Sequence, residues 1–228
     1  MLWYKAWLET RWRLLLLAPM IGLMVLPHLF DTRQGSQWQM WRALRAMSPL
    51  LYWFAAMFLS GAGINTQTVY RTTAGFHKSM LFTLSLPVSR KQLFSVRAGL
   101  GAIETGLFVL VLAVTTLCAA PVLPSALQSI DFVVRVLLCA LAVYAAFAFL
   151  ATFLDDMWRT GVGVFSVFAL LIVQARFPRM ADFNPLSGMS LFTYPLSAAM
   201  PWAVVIAAAM ACAIFAWLSI RILRWKEY

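Results

Sequence analysis

Six apolar stretches of about membrane-spanning length, 14–30, 49–70, 99–120, 132–154, 160–175 and 196–220, occupy most of this 228-residue chain. A helix of about 20 apolar residues crosses the roughly 30 Å of hydrocarbon in a bilayer. Within that solvent each backbone amide must find its partner inside its own helix, so the segments are expected to be α-helical. The pattern predicts an all-α integral membrane protein with six transmembrane helices, in one domain that covers 1–228.

Hydrophobic residues make up 63% of the chain and charged residues 11%. With a mean hydropathy of +0.82, this excludes an ordinary soluble domain. The net charge of +10 raises nucleic acid as a partner, but the basic residues flank the apolar runs and form no stripe with interleaved aromatics. Anionic lipid headgroups suit that placement, and nucleic acid does not. Cys118, Cys139 and Cys212 fall in predicted spans, lack zinc-ligand spacing and are odd in number, which makes them packing residues. No small-residue cleavage site follows the first apolar run, so a cleavable signal peptide is not expected there.

Residues 1–13 are too short and too charged to span. On a helix Lys5, Glu9 and Arg13 share a face, while Trp3, Tyr4, Trp7, Leu8 and Trp12 lie elsewhere. That distribution predicts a helix lying in the membrane interface. Spans one and two then fill 14–70, a basic loop fills 71–98, and spans three to six with a basic tail fill 99–228.

With both termini placed inside, the inner segments hold twelve Lys and Arg, Arg97 and Arg159 among them, against six outside, Arg135 included. The positive-inside rule therefore puts both termini in the cytoplasm. The outer segment 31–48 alternates Arg33, Arg42 and Arg45 with Trp38, Trp41, Leu44 and Met47, as an interfacial helix does. The last outer segment, 176–195, is apolar and broken by Pro178, Pro185, Gly188 and Pro195. It is expected to re-enter against the bundle, because irregular backbone at membrane depth needs protein or water to satisfy it.

The basic loop has its own internal order. Phe76, Met80 and Leu84 stand four residues apart, with His77, Lys78 and Ser85 on other faces, which predicts a short amphipathic helix over 75–86. Pro87 disfavours helical geometry at Leu86 and ends it. Ser89 and Gln92 have capping-box spacing, so a second helix begins there and runs through Arg90, Lys91 and Arg97 into span three.

The run Thr83-Leu84-Ser85-Leu86-Pro87-Val88-Ser89-Arg90-Lys91-Gln92-Leu93 resembles the loop between spans two and three of ATP-binding-cassette permeases of the type-two exporter class. The likeness extends in layout to the N-terminal helix, the six spans, the broken outer segment and the basic tail. It implies a permease subunit that works as a dimer and rests a cytoplasmic coupling helix, here Phe76, His77, Lys78, Met80 and Leu84 with Pro87, Ser89, Arg90 and Lys91 beside it, on a separate ATPase subunit. The chain has no G-x-x-x-x-G-K-[ST] phosphate loop, so ATP and Mg belong on that partner and this chain carries no cofactor. No catalytic residue is assigned.

Glu104 is the only acidic residue well inside a predicted span. Such a carboxylate either pairs with neighbouring polar groups or transmits loop motion. Asn65 and Gln67, with Thr66 and Thr68, either line a polar vestibule or join helices by hydrogen bonds. Asp155 and Asp156 are placed to cap the fifth span. His28 and His77 have no other ligand at metal spacing, and Ser166 has no nucleophile-elbow motif around it.

The expected function is that of the transmembrane subunit of an ATP-driven exporter in a bacterial cytoplasmic membrane, moving a hydrophobic or amphipathic substrate. The alternative is a small channel or assembly scaffold that uses no ATP.

Overall fold

A computed structural model describes helical positions between Trp3 and Gly22, and residues 49–60, 90–118, 125–151, 154, 156–177, 189 and 202–225. Among the described residues every regular element is an α-helix. After the N-terminal helical positions come α1 (Pro49–Ser60), α2 (Arg90–Cys118), α3 (Ala126–Leu150), α4 (Asp156–Arg176) and α5 (Trp202–Trp225). The expected coupling-helix residues Phe76, His77, Lys78, Met80, Leu84, Pro87 and Ser89 lie outside the described residues, as do Asn65, Gln67 and segment 31–48.

α2 begins at Arg90, directly after Ser89, and runs unbroken for 29 residues. The loop-proximal turn and the third expected span are thus one rod of about 43 Å. α3 starts at Ala126, six residues before the expected span. Ser125 and Gln128 form a capping box in which the Ser125 amide donates to Gln128 Oε1 at 3.0 Å and the Gln128 amide donates to Ser125 Oγ at 3.4 Å. α4 opens at Asp156, and α5 opens at Trp202, right after Pro201, and continues five residues beyond the expected end of span six. Ser95–Cys118 and Ala126–Leu150 are the two described stretches long and apolar enough to cross a membrane.

The cross-section of α2 shows what the bundle is built to face. Arg97, Gly101, Glu104, Thr105, Phe108, Val109, Leu112, Ala113 and Thr116 are buried at helical spacing. The opposite stripe, Ile103, Leu107, Val111 and Val114, is aliphatic and exposed. Polar groups are inside and aliphatic groups outside, the reverse of a helix on a water-soluble core. α4 repeats this arrangement, with Arg159 buried while Phe165, Phe168 and Ile172 are exposed. A bundle with this polarity is compatible with a helical membrane protein.

Hydroxyl groups in the bundle turn back on their own helices. Thr105 Oγ1 donates to the Gly101 carbonyl at 2.7 Å, Thr116 Oγ1 to Leu112 at 2.7 Å, and Ser219 Oγ to Phe215 at 2.8 Å. Each donor is thereby satisfied without water.

α3 is the central helix and packs along both α2 and α5, with a shorter contact to α4. α2 and α3 are antiparallel, since Gly101 faces Tyr144 and Gly106 faces Leu137. α1 joins through Tyr52, whose hydroxyl is 3.0 Å from Thr116 Oγ1, and through Trp53, which meets Phe147 edge-on. Met189, in the broken segment before α5, is fully buried in the core cluster. At the other boundary of α5 the Arg221 guanidinium lies over the exposed Trp217 ring, 5.0 Å from its centroid. Such a pair suits the edge of a hydrocarbon layer.

Candidate functional site

Three features stand out inside this bundle: a polar node at the loop-proximal half of α2, an ion pair in α3, and two apolar cavities on either side of the α3–α5 seam.

The node grows from helical spacing. Arg97, Gly101, Glu104 and Thr105 fall on one face of α2, and the absent side chain at Gly101 leaves room for Tyr144 of α3. A Cβ at Gly101 would stand 2.5 Å from the Tyr144 hydroxyl oxygen. The hydroxyl occupies that space and donates to the Ala98 carbonyl at 2.7 Å. Glu104 is 2% exposed, Arg97 6% and Arg159 4%, so three formal charges lie in the interior at this level. Glu104 belongs to α2 and Arg159 to α4, and Gly163, one turn beyond Arg159, packs against Phe147 of α3. Removing such charges from water is costly, and Glu104, Arg97 and Arg159 each interact with other groups in the structure.

Glu104 lies in the first half of α2 and is buried. Arg97 and Arg159, counted in the sequence as flanking charges, are interior residues as well. Arg90 and Lys91 are the first two residues of α2, at the end of the rod that follows the basic loop. Gly163 of α4 packs against Phe147 of α3, and the first half of α2 lines a common cavity with the second half of α3 and residues of α5, so all four helices share this end of the bundle.

Arg135, counted with the outer charges although it falls within the expected span 132–154, lies nine residues into α3 and is 1% exposed. Asp131, one turn earlier, meets its Nη2 at 3.7 Å, and the guanidinium lies 6.0 Å from the Phe132 ring centroid. The i,i+4 spacing of Asp131 and Arg135 in an otherwise apolar helix was the available signal.

The larger cavity, about 390 Å³, lies between α2, α3 and α5 and is walled by small residues including Ala98, Gly99, Ala102, Ala145 and Ala148. Trp3 reaches α2 at Gly99, where a Cβ would come within 3.3 Å of its ring. The smaller cavity, about 230 Å³, lies on the other side of the seam against α1 and α4. Among the described residues no cluster of His, Cys, Asp and Glu has the makings of a metal site.

No family model matches the chain, and no curated protein or solved structure matches it.

Proposed function

We propose that this chain is the transmembrane subunit of an ATP-driven exporter in a bacterial cytoplasmic membrane, coupled to a separate ATPase through the basic loop ahead of α2. It works as a pair of permease copies with both termini in the cytoplasm. The substrate is hydrophobic or amphipathic, and ATP and Mg stay on the partner.

The observation that carries this reading is the unbroken course of α2 from Arg90 to Cys118. A helix of that length transmits a displacement at its first turn along its whole axis, because bending it requires breaking successive backbone hydrogen bonds. The rod carries the buried Arg97 and Glu104 and is tied to α3 by the Tyr144–Ala98 hydrogen bond, so movement of the loop would pull on α3. The inverted polarity of α2 and α4 supports a lipid surround, and the Leu84–Leu93 sequence supports the ATPase as the source of the displacement.

Charge reversal tests the coupling surface. Arg90→Glu with Lys91→Glu, or Met80→Asp with Leu84→Asp, should release a co-purifying ATPase while the spans stay folded, since these positions precede the apolar part of the rod. Full retention of the ATPase in both double variants would contradict the docking assignment.

A further inference from the structure

The larger cavity is a cleft in the side of the bundle. α2 and α5 each pack along α3 but scarcely touch one another, so a gap runs between them with α3 as its floor. The buried Tyr144 and Ala148 of α3 form that floor, while the exposed Ser95 of α2 and Ala216 and Ile220 of α5 form its mouth. The gap stays open because the facing positions are small, with Gly99 and Ala102 on α2 and Ala145 on α3.

The wall asks for hydrocarbon. Tyr144 donates its proton to the Ala98 carbonyl and Ser219 to the Phe215 carbonyl, so the buried hydroxyls in the wall make no demand on an occupant. Water is a poor filler here, because it needs two to four polar partners. Dispersion contacts that an open cleft forfeits are restored by a flexible alkyl chain. At about 390 Å³ the space lies within the roughly 300–1,000 Å³ usual for ligand sites.

The mouth of the cleft adjoins a cationic end of the bundle. Phe149, one residue from the end of α3, meets Phe215 of α5 at 5.7 Å, and Ser95 and Ile220 line one cavity, so the last turns of α5 stand beside the first turns of α2. Arg221 directly follows the lining residue Ile220, is exposed, and lies over Trp217. Arg224 comes three residues later in α5, and Arg90 and Lys91 come five and four residues ahead of Ser95 in α2. The stretches 90–103 and 212–225 contain no Asp or Glu. Trp3, half exposed, reaches the cleft at Gly99. Tryptophan rings and arginine together belong at headgroup depth, and basic groups at the end of an apolar groove between helices match a lipid phosphate.

We propose that this cleft binds one anionic phospholipid, with an acyl chain between α2 and α5 and the phosphate beside Arg221. The site needs a lipid surround and no part of the ATPase assignment, so the two stand or fall separately.

Native mass spectrometry of the full-length chain in mild detergent tests this, titrated with dioleoyl phosphatidylglycerol or dioleoyl phosphatidylcholine. The parent should bind the first phosphatidylglycerol more tightly than the first phosphatidylcholine. Arg221→Gln should weaken phosphatidylglycerol about fivefold, the order expected of one basic residue at a lipid surface, and leave phosphatidylcholine nearly unchanged. Arg176→Gln, which removes an exposed charge at the far end of α4, should change neither. Ala145→Leu fills the cleft from its floor and should weaken both lipids. Ala216→Leu fills it from the exposed mouth and decides the matter if the floor variant does not fold. Equal affinity for the two lipids in the parent would overturn the proposal. So would a phosphatidylglycerol preference untouched by Arg221→Gln or lost equally in Arg176→Gln, lipid binding unchanged in a folded leucine variant, or displacement of the lipid by glycerol 3-phosphate, which has the phosphate and no chain.

Discussion

Tyr144 of α3 donates a 2.7 Å hydrogen bond to the carbonyl of Ala98 in α2, across a gap that exists because residue 101 is glycine. The bond joins the central helix to the rod within two turns of the buried Glu104. Helix spacing and charge placement meet in this pair.

Replacing Gly101 with Ala places a methyl group against the Tyr144 hydroxyl and should destabilise the protein by about 1–3 kcal/mol, the usual cost of overpacking. Gly106→Ala is the control, since its Cβ would lie 3.8 Å from Leu137 and make an ordinary contact. Thermal unfolding in detergent should separate the two. Equal melting temperatures would show that α2 and α3 are not packed this closely.

Tyr144→Phe should cost about 1 kcal/mol for the lost hydrogen bond. It should also soften the Gly101→Ala penalty, because the atom that clashes is the removed hydroxyl. The quantity to measure is the coupling energy of that double-mutant cycle, which should clear the roughly 0.5 kcal/mol seen between independent sites.

The ion pair in α3 should behave asymmetrically. Asp131→Ala leaves the buried Arg135 without its carboxylate and should cost about 3 kcal/mol. Asp131→Asn combined with Arg135→Met removes both charges and should come much closer to the parent stability. Chemical denaturation of the three proteins tests this, and the opposite order would mean that the pair is not desolvated.

Spin labels along α2 test the solvent that the bundle faces. Labels at Leu107, Val111 and Val114 should be reached by oxygen and shielded from a water-soluble nickel chelate, while labels at Val109 and Ala113 should be shielded from both. High nickel access at the aliphatic stripe would place it in water and remove the membrane assignment.

The apolar lengths and boundary signals made much of this architecture legible. Ser89 with Gln92 marks a helix that the structure begins at Arg90, and the aspartates at 155 and 156 mark one that begins at Asp156. Glu104 was readable as the acidic residue within an expected span because the stretch around it, 99–120, is strongly apolar. Ser125 and Gln128 escaped notice because their capping box lies six residues ahead of the strongly apolar run that drew the boundary. Arg97, Arg135 and Arg159 were counted as solvated flanks because a running charge count ignores which side of a helix a residue faces. Tyr144 with Ala98 and Trp53 with Phe147 are 46 and 94 residues apart, both cavities likewise join distant helices, and one-dimensional periodicity does not specify such pairs.

The most direct measurement is recovery of the tagged chain from its native host in mild detergent, with mass spectrometry of every retained protein. The proposed function predicts a soluble ATPase in about one-to-one ratio with the chain, the stoichiometry of a two-permease, two-ATPase complex. Recovery of an intact, folded chain without an ATPase would contradict it and leave the channel or scaffold as the better description.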